Sequence, residues 1–285
     1  MSYSNKNEKN DREVIGLIPA GGRAERITPL PCSKEIYPIG FWSMPGFDSP
    51  RPKAVCHYLL EKMALAGISK TYIVLRSGKW DIPDYLGDGN ALNMHFAYLM
   101  MRLPYGVPYT IDQAYPFIKD NVVAFGFPDI LFKPDNAYMH LLNRQRDTKA
   151  DIVLGLFPVD QPSKWDMVDI DKNHKIRNIF IKPLKTHLRY AWIIAVWTHV
   201  FTQFIHDYLN SLPKTEQGND EKSNIKRKKE LYIGEVVDAA VLSKLCVEGV
   251  LLKRGFCLDI GTPHDLIKAM HHVNKDMFKR VTHAN

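Results

Sequence analysis

Apolar residues gather along this chain in short runs, separated by longer stretches in which they recur every three or four positions. Val14 to Pro19, Thr71 to Arg76, Val122 to Phe127 and Ile152 to Phe157 read as buried strands. Pro52 to Ala66 sets Val55, Leu59, Leu60, Met63 and Ala66 at helical spacing, with Pro52 near the start and Gly67 just past the end. Asn136 to Arg146 predicts a second amphipathic helix. Strands alternating with helices predict an α/β fold: a mostly parallel sheet with helices on both faces.

From Met167 to Lys182 the rhythm shortens to VDID, KNHKI and RNIFI, which predicts an antiparallel hairpin turned at Lys172-Asn173. Ala191 to Trp197 predicts another buried strand, Phe201 to Leu212 a helix, and Pro263 to Val281 a helix opened by proline. The polar start, residues 1–12, is expected to be a disordered tail, and the polar stretch 213–230 a mobile loop. The rest, 13–285, is expected to form one domain, since 285 residues with 45% hydrophobic side chains can bury a sizeable core.

Composition narrows the classes of function. No apolar run approaches the roughly 18 residues that span a bilayer, and the polar start lacks the hydrophobic region of a secretion signal, so a cytoplasmic protein is expected. Cys32, Cys56, Cys246 and Cys257 show no C-x-x-C spacing and read as reduced thiols. Cys32 is either a reactive thiol or a small filler in its loop. Much of the formal charge of +7 comes from the run Lys222 to Lys229. That run has no aromatic interleaving, which argues against nucleic acid and leaves phosphorylated small molecules as the partners suited to a basic protein.

The candidate chemistry starts at residue 14. The strand Val14–Pro19 breaks abruptly at Ala20-Gly21-Gly22, where glycines let backbone N–H groups approach an anion. Arg26 and Lys34 follow and supply charge suited to a triphosphate. An ordinary strand-to-helix turn is the competing reading. Gly21-Gly22-Arg23-Ala24-Glu25-Arg26 matches neither G-x-G-x-x-G nor G-x-x-x-x-G-K-[ST], which disfavours a dinucleotide fold or a Walker-type ATPase.

Ala20-Gly21-Gly22-Arg23-Ala24-Glu25-Arg26-Ile27-Thr28-Pro29, followed by Ser33-Lys34, resembles the opening motif A-G-G-x-G-T-R-L-x-P and lysine of the sugar-1-phosphate nucleotidylyltransferases. Gly126-Phe127-Pro128-Asp129, Ile181-Lys182-Pro183 and Cys257-Leu258-Asp259-Ile260-Gly261-Thr262-Pro263 resemble further motifs of that family, in the same order. The resemblance implies a GT-A/Rossmann-like sheet with a small antiparallel sugar-side subdomain. It implies a reaction in which a sugar 1-phosphate attacks the α-phosphorus of a nucleoside triphosphate and pyrophosphate leaves, with Mg²⁺ as cofactor. Arg26, Lys34 and Lys182 take catalytic roles in it. Ala20, Gly21, Gly22, Gly106 and Asp129 bind nucleotide, Asp166, Ile181 and Lys182 bind the acceptor, and Asp129 and Asp259 hold the metal. The two aspartates are 130 positions apart, and they are expected to meet because carboxyl ends of parallel strands converge on one edge of a sheet. A turn or capping role is the alternative for each, and a surface cation for Lys182.

The chain departs from the family pattern at several places. Ala24 and Glu25 stand for glycine and threonine, Leu103 for the base-reading glutamine, Ile181 for the glutamate of E-K-P, and Asp166 for a glycine. The sugar-side changes point to an unusual acceptor. A segment from Phe41 to Phe47 is inserted after Lys34, and reads either as a cover for the site or as a packed surface loop. A catalytically silent nucleotide or sugar-nucleotide-binding regulatory homologue is the alternative function. A glycosyltransferase ranks last, because its D-x-D motif is met only by Asp169-Ile170-Asp171 on the predicted hairpin. The partners implied are a nucleoside triphosphate and a phosphorylated small molecule, without nucleic acid or membrane. Relatives form dimers or tetramers, so a homo-oligomer is an open expectation.

Overall fold

The computed structural model describes residues 12–43, 46–101, 106–212 and 230–282. The tail at 1–11 and the polar loop at 213–229 lie outside the described residues, as does Leu103. In chain order the strands are β1 (Val14–Ala20), β2 (Pro38–Trp42), β3 (Arg51–Ala54), β4 (Lys70–Arg76), β5 (His95–Met101), β6 (Val122–Gly126), β7 (Ile130–Lys133), β8 (Ile152–Pro158), β9 (Asp166–Ile170), β10 (Ile176–Ile181), β11 (Tyr190–Trp197), β12 (Val247–Leu251) and β13 (Phe256–Asp259). The helices are α1 (Val55–Leu65), α2 (Asp81–Leu86), α3 (Val107–Asp112), α4 (Tyr115–Ile118), α5 (Ala137–Thr148), α6 (His199–Ser211), α7 (Ile233–Leu242) and α8 (Pro263–Thr282).

The central sheet runs β10-β9-β11-β6-β1-β4-β5, with β8 joined to β11 and β12 to β8. Its register makes β1, β4, β5, β6, β8, β9 and β12 point one way, while β10 and β11 run against them. The sheet is thus largely parallel and is flanked by helices, as the strand and helix alternation predicts.

Period-two side-chain alternation builds the two layers. Ile18 and Ala20 of β1 join a cluster with Leu59, Leu60 and Met63 of α1 and Tyr138 and Leu141 of α5. Ile15 and Leu17 of the same strand face the opposite cluster, with Phe201 and Ile205 of α6 and Val236 and Val237 of α7. A third, smaller cluster of Ile39, Val55, Leu131, Ile260 and Ala269 ties β2 and β7 to the start of α8.

The predicted hairpin at 167–182 is present as β9 and β10, paired antiparallel from Ile170↔Ile176 to Asp166↔Ile181. Two expectations need correction. Pro52 does not open a helix: it lies in β3 opposite Phe41, and α1 begins at Val55 after the extended Ala54. The hairpin with β2 captures the residues that helical spacing had assigned to the first turn. Phe41 and Trp42 accordingly belong to β2, and Phe47 packs under the Arg51 guanidinium at 4.3 Å. The second correction concerns Asp259, which closes β13 in a separate two-stranded sheet with β7 and not a strand of the parallel sheet.

Gly126, where β6 ends just ahead of Asp129, is sterically closed. A Cβ there would stand 2.3 Å from the Tyr138 hydroxyl and 2.7 Å from Leu59 Cδ1, and that hydroxyl donates to the Phe125 carbonyl at 2.9 Å. Gly126→Ala is expected to destabilise the protein by about 1–3 kcal/mol through this overpacking, read as a lower midpoint in urea unfolding.

Candidate active site

The chain leaves β1, runs through β4 and β5 on one side, and returns to β6 on the other side of β1. The switch point between β1 and β6 opens a crevice at their carboxyl ends, the usual ligand position in open α/β sheets. Ala20 ends β1 buried against Leu75, and Gly21 and Gly22 form the bend beyond it. A Cβ at Gly21 would lie 2.6 Å from Met101 Sδ, whereas nothing approaches one at Gly22, whose backbone faces open space. A cavity of about 350 Å³ lies beside the bend, with Gly22, Ala24, Lys34, Arg76 and Lys79 in its lining.

Ala24 adopts φ +56°, the left-handed region where glycine is at ease and alanine is strained. The loop keeps a glycine-type conformation without the glycine. Glu25 does not face the bend alone: its carboxylate stands 3.6 Å from Arg23 Nη1, and both side chains are mostly exposed.

Asp129 and Asp259 come together, for a reason different from the one expected. The β7–β13 pairing sets Asp259 opposite Ile130, and the Ile260 amide donates to the Asp129 carbonyl at 3.3 Å. Lys34 pairs with the Asp129 carboxylate, and Arg26 Nη2 stands 3.9 Å from Asp259 Oδ2. A Cβ on Gly261 would meet Asp259 Oδ2 at 2.5 Å and Arg26 Nη2 at 2.7 Å, so this glycine keeps the chain out of their way.

Burial disfavours the charge on Lys34, but Asp129, Asp259 and Glu35 outweigh it and hold the ammonium above the ordinary lysine value. Burial likewise opposes ionisation of Asp129, and the Lys34 partner reverses this and keeps its carboxyl below the usual range. Asp259, buried and facing the charge of Asp129, is pushed up to about 6. Asp129 has the Lys34 ammonium in direct contact, whereas Asp259 has the Arg26 guanidinium at 3.9 Å.

A second group gathers around the hairpin. Asp166 and Ile181 face each other across β9 and β10. The first turn of α7 presses onto them, so that a Cβ on Gly234 would lie 2.4 Å from Asp166 Oδ2 and 2.6 Å from Ile181 Cδ1. Lys182, at φ +44°, sets its ammonium 4.0 Å above the Tyr232 ring. Asp166 Oδ1 is buried without a partner. Burial pushes the Asp166 carboxyl up to about 6, against the pull of Lys182 and with the push of Glu235. This group flanks β11 opposite the first one: Ala191 pairs with Met167 on one side and Ile194 with Gly126 on the other.

Gly106, at φ +124°, abuts the backbone of Leu231, where a Cβ would meet the carbonyl oxygen at 2.3 Å. Asp171 accepts the Asn173 and Lys175 amides at 2.8 and 3.0 Å, so the D-x-D match is a hairpin turn. Sequence reading passed over Arg76, which ends β4, Lys79 and Asp81 just beyond it at the same sheet edge, and Tyr232. The position of β4 beside the switch strand is the signal that points to the first three. Lys164 and Asp265 were also missed: the ammonium of Lys164 meets both oxygens of Asp265, at 2.9 and 3.0 Å, and Thr262 donates to that carboxylate at 2.7 Å. This knot fastens the segment after Asp259 to the approach to β9.

Among the described residues, no group of three or more His, Cys, Asp or Glu gathers as a metal site, and no helix is long and apolar enough to cross a membrane. Two carboxylates alone still fit Mg²⁺, which takes one or two such ligands and completes its shell with water and phosphate oxygens.

An α/β protein with an anion-ready glycine bend at its switch point belongs to a class defined by what binds there. A family model described as nucleotidyl transferase matches residues 15–276, and the chain belongs to that family, whose members are transferases. It is 21% identical over 264 residues to a low-salt glycan biosynthesis nucleotidyltransferase of Haloferax volcanii, covering 92% of this chain and 66% of the relative. To a glucose-1-phosphate thymidylyltransferase of Streptomyces antibioticus it is 20% identical, covering 93% and 67%. The chain thus spans about two thirds of the length of these relatives. Its fold matches a UTP-bound UGPase from Acinetobacter baumannii with a TM-score of 0.72 at 15% identity, covering 95% of this chain and 98% of that one.

The folded-state carboxyl of Asp166 binds its proton more tightly than in the unfolded chain, where the ordinary value is 3.8. Ionising it therefore costs stability as pH rises from about 4 through about 6. Asp166→Asn is expected to raise stability by roughly 1–3 kcal/mol at pH 8, with the gain vanishing below pH 4, in thermal unfolding followed across pH. Ala24→Gly removes left-handed strain and is expected to be neutral or to stabilise by up to about 1 kcal/mol, checked by the same unfolding measurement.

Proposed function

We propose that the chain joins a nucleoside triphosphate to a sugar 1-phosphate, or a similar phosphorylated acceptor, giving a nucleotide-activated product and pyrophosphate. The observation that carries this reading is the meeting of Lys34, Asp129, Asp259 and Arg26 beside the glycine bend. Transfer at phosphorus asks for positioning and for neutralised oxygen charge, with little covalent help from the protein.

In this reading the open backbone at Gly22 and the cations Arg26 and Lys34 take the triphosphate, and Gly106 borders the base. Lys182 and Asp166 receive the acceptor on the far side of β11. The acceptor phosphate oxygen attacks the α-phosphorus, the bond from that phosphorus to the bridging oxygen breaks, and pyrophosphate leaves against Arg26 and Lys34. Asp129 and Asp259 would hold Mg²⁺, which supplies charge neutralisation at the phosphate oxygens. Lys34 already pairs with Asp129, so the ammonium and the ion would share that carboxylate. A cytoplasmic location goes with this reading, since nucleoside triphosphates are abundant there.

The left-handed Ala24 and the apolar Ile181 favour a second reading, a silent homologue that binds nucleotide or sugar nucleotide and regulates. Pyrophosphate release from a panel of triphosphates and sugar phosphates separates the two. Under the enzyme reading, Asp129→Asn and Asp259→Asn each lower turnover by about 10²–10³-fold while circular dichroism stays unchanged, and chelation of divalent ions stops the reaction until Mg²⁺ is restored. Tight nucleotide binding with no turnover for any pair would instead support the regulator.

A further inference from the structure

Three consecutive residues at the far end of the phosphate loop are each tied to a different place. Lys34 pairs with Asp129. Before it, Ser33 donates both its amide and its hydroxyl to the Asp81 carboxylate, at 2.6 and 2.7 Å. After it, Glu35 accepts from the Lys79 ammonium at 2.5 Å. Both flanking ties land on one short stretch, from Lys79 just past β4 to Asp81 at the first residue of α2. The turn Lys34–Ile36 has no side-chain cap of its own, and Asp81 holds from outside the Ser33 that precedes it.

The Glu35–Lys79 pair is an expensive way to hold a loop. Its side chains are 6% and 5% exposed, and the second oxygen of Glu35 is buried with no partner. Burial pushes the Glu35 carboxyl up despite Lys79. Apolar side chains of similar size would hold this position at least as stably, because desolvating two charges offsets most of their attraction. A pair of fixed direction does what apolar packing cannot: it sets the rotation of the backbone turn that carries Lys34.

We propose that Asp81 and the Glu35–Lys79 pair form a latch whose work is to position Lys34, making Lys79 and Asp81 positioning residues for triphosphate binding. The role assigned to Lys34 rests on the nucleotidyl-transfer reading of the site; the latch itself rests on the contacts alone. Its range of action is short, since a displacement of about 1 Å at a catalytic group costs on the order of a hundredfold.

The test compares the parent with Asp81→Ala and with the double variant Glu35→Leu/Lys79→Met, which replaces the ion pair by apolar groups and strands no buried charge. Two readouts are taken. One is the rate at which an amine-acylating reagent modifies Lys34, followed by peptide mass spectrometry. The other is the affinity for inorganic pyrophosphate by calorimetry, with kcat and KM for triphosphate alongside. In both variants Lys34 is expected to react about fivefold faster and pyrophosphate to bind about tenfold more weakly, with unfolding of the double variant unchanged. An unchanged Lys34 reaction rate in both variants overturns the latch. A faster rate with unchanged pyrophosphate affinity overturns its role in binding. A parent that binds neither pyrophosphate nor any triphosphate overturns the functional reading instead, and Lys34 reactivity still decides whether the latch exists.

Discussion

The structure turns on a crowding of like charge. Asp129 and Asp259 are brought side by side by a two-stranded ribbon, and both are largely removed from water. Two carboxylates in such a place repel each other, so the fold must supply positive charge, and it supplies it unevenly. Lys34 answers Asp129 directly, while Asp259 has the exposed Arg26 at 3.9 Å and feels Lys34 from farther off. The imbalance leaves a position beside Asp259 where further positive charge is favoured, next to a bend whose backbone favours negative charge. A metal ion and a polyphosphate would satisfy both demands together.

Much of the surrounding architecture serves to hold that crowding in place. The small cluster of Ile39, Leu131, Ile260 and Ala269 clamps β7 to the start of α8. The Lys164–Asp265–Thr262 knot fastens the chain just past Asp259. On the opposite flank, β11 runs against its neighbours and acts as a partition. One of its edges carries the end of β6 and the other the hairpin with Asp166 and Lys182. Two groups of charged side chains are thus separated by one strand.

The β9–β10 hairpin gathers the second group of charged side chains. Asp166 is partly buried with its Oδ1 unpartnered and is pressed by Gly234, and the Tyr232 ring lies against the Lys182 ammonium. A carboxylate, a cation on an aromatic face and the apolar Ile181 thus stand together at the end of the hairpin.

The amino-acid sequence by itself determined the periodic part of this protein. Runs such as Val122 to Phe127 and the spacing of Leu59, Leu60 and Met63 carry their own strand and helix signals, because burial on one face imposes a repeat that is local in the chain. The glycine bend and the cations after it were legible for the same reason: backbone freedom and charge are properties of residues and their near neighbours. Only the tertiary structure decided that Pro52 joins a hairpin, that Asp259 reaches Asp129 through β7 and β13, and that Ser33 and Glu35 find partners at Asp81 and Lys79. Those partners lie between 44 and 48 positions away, and the aspartates farther still. Pairing over such separations is settled by which surfaces the folded sheet brings into reach, a geometric outcome that no local pattern of residues encodes.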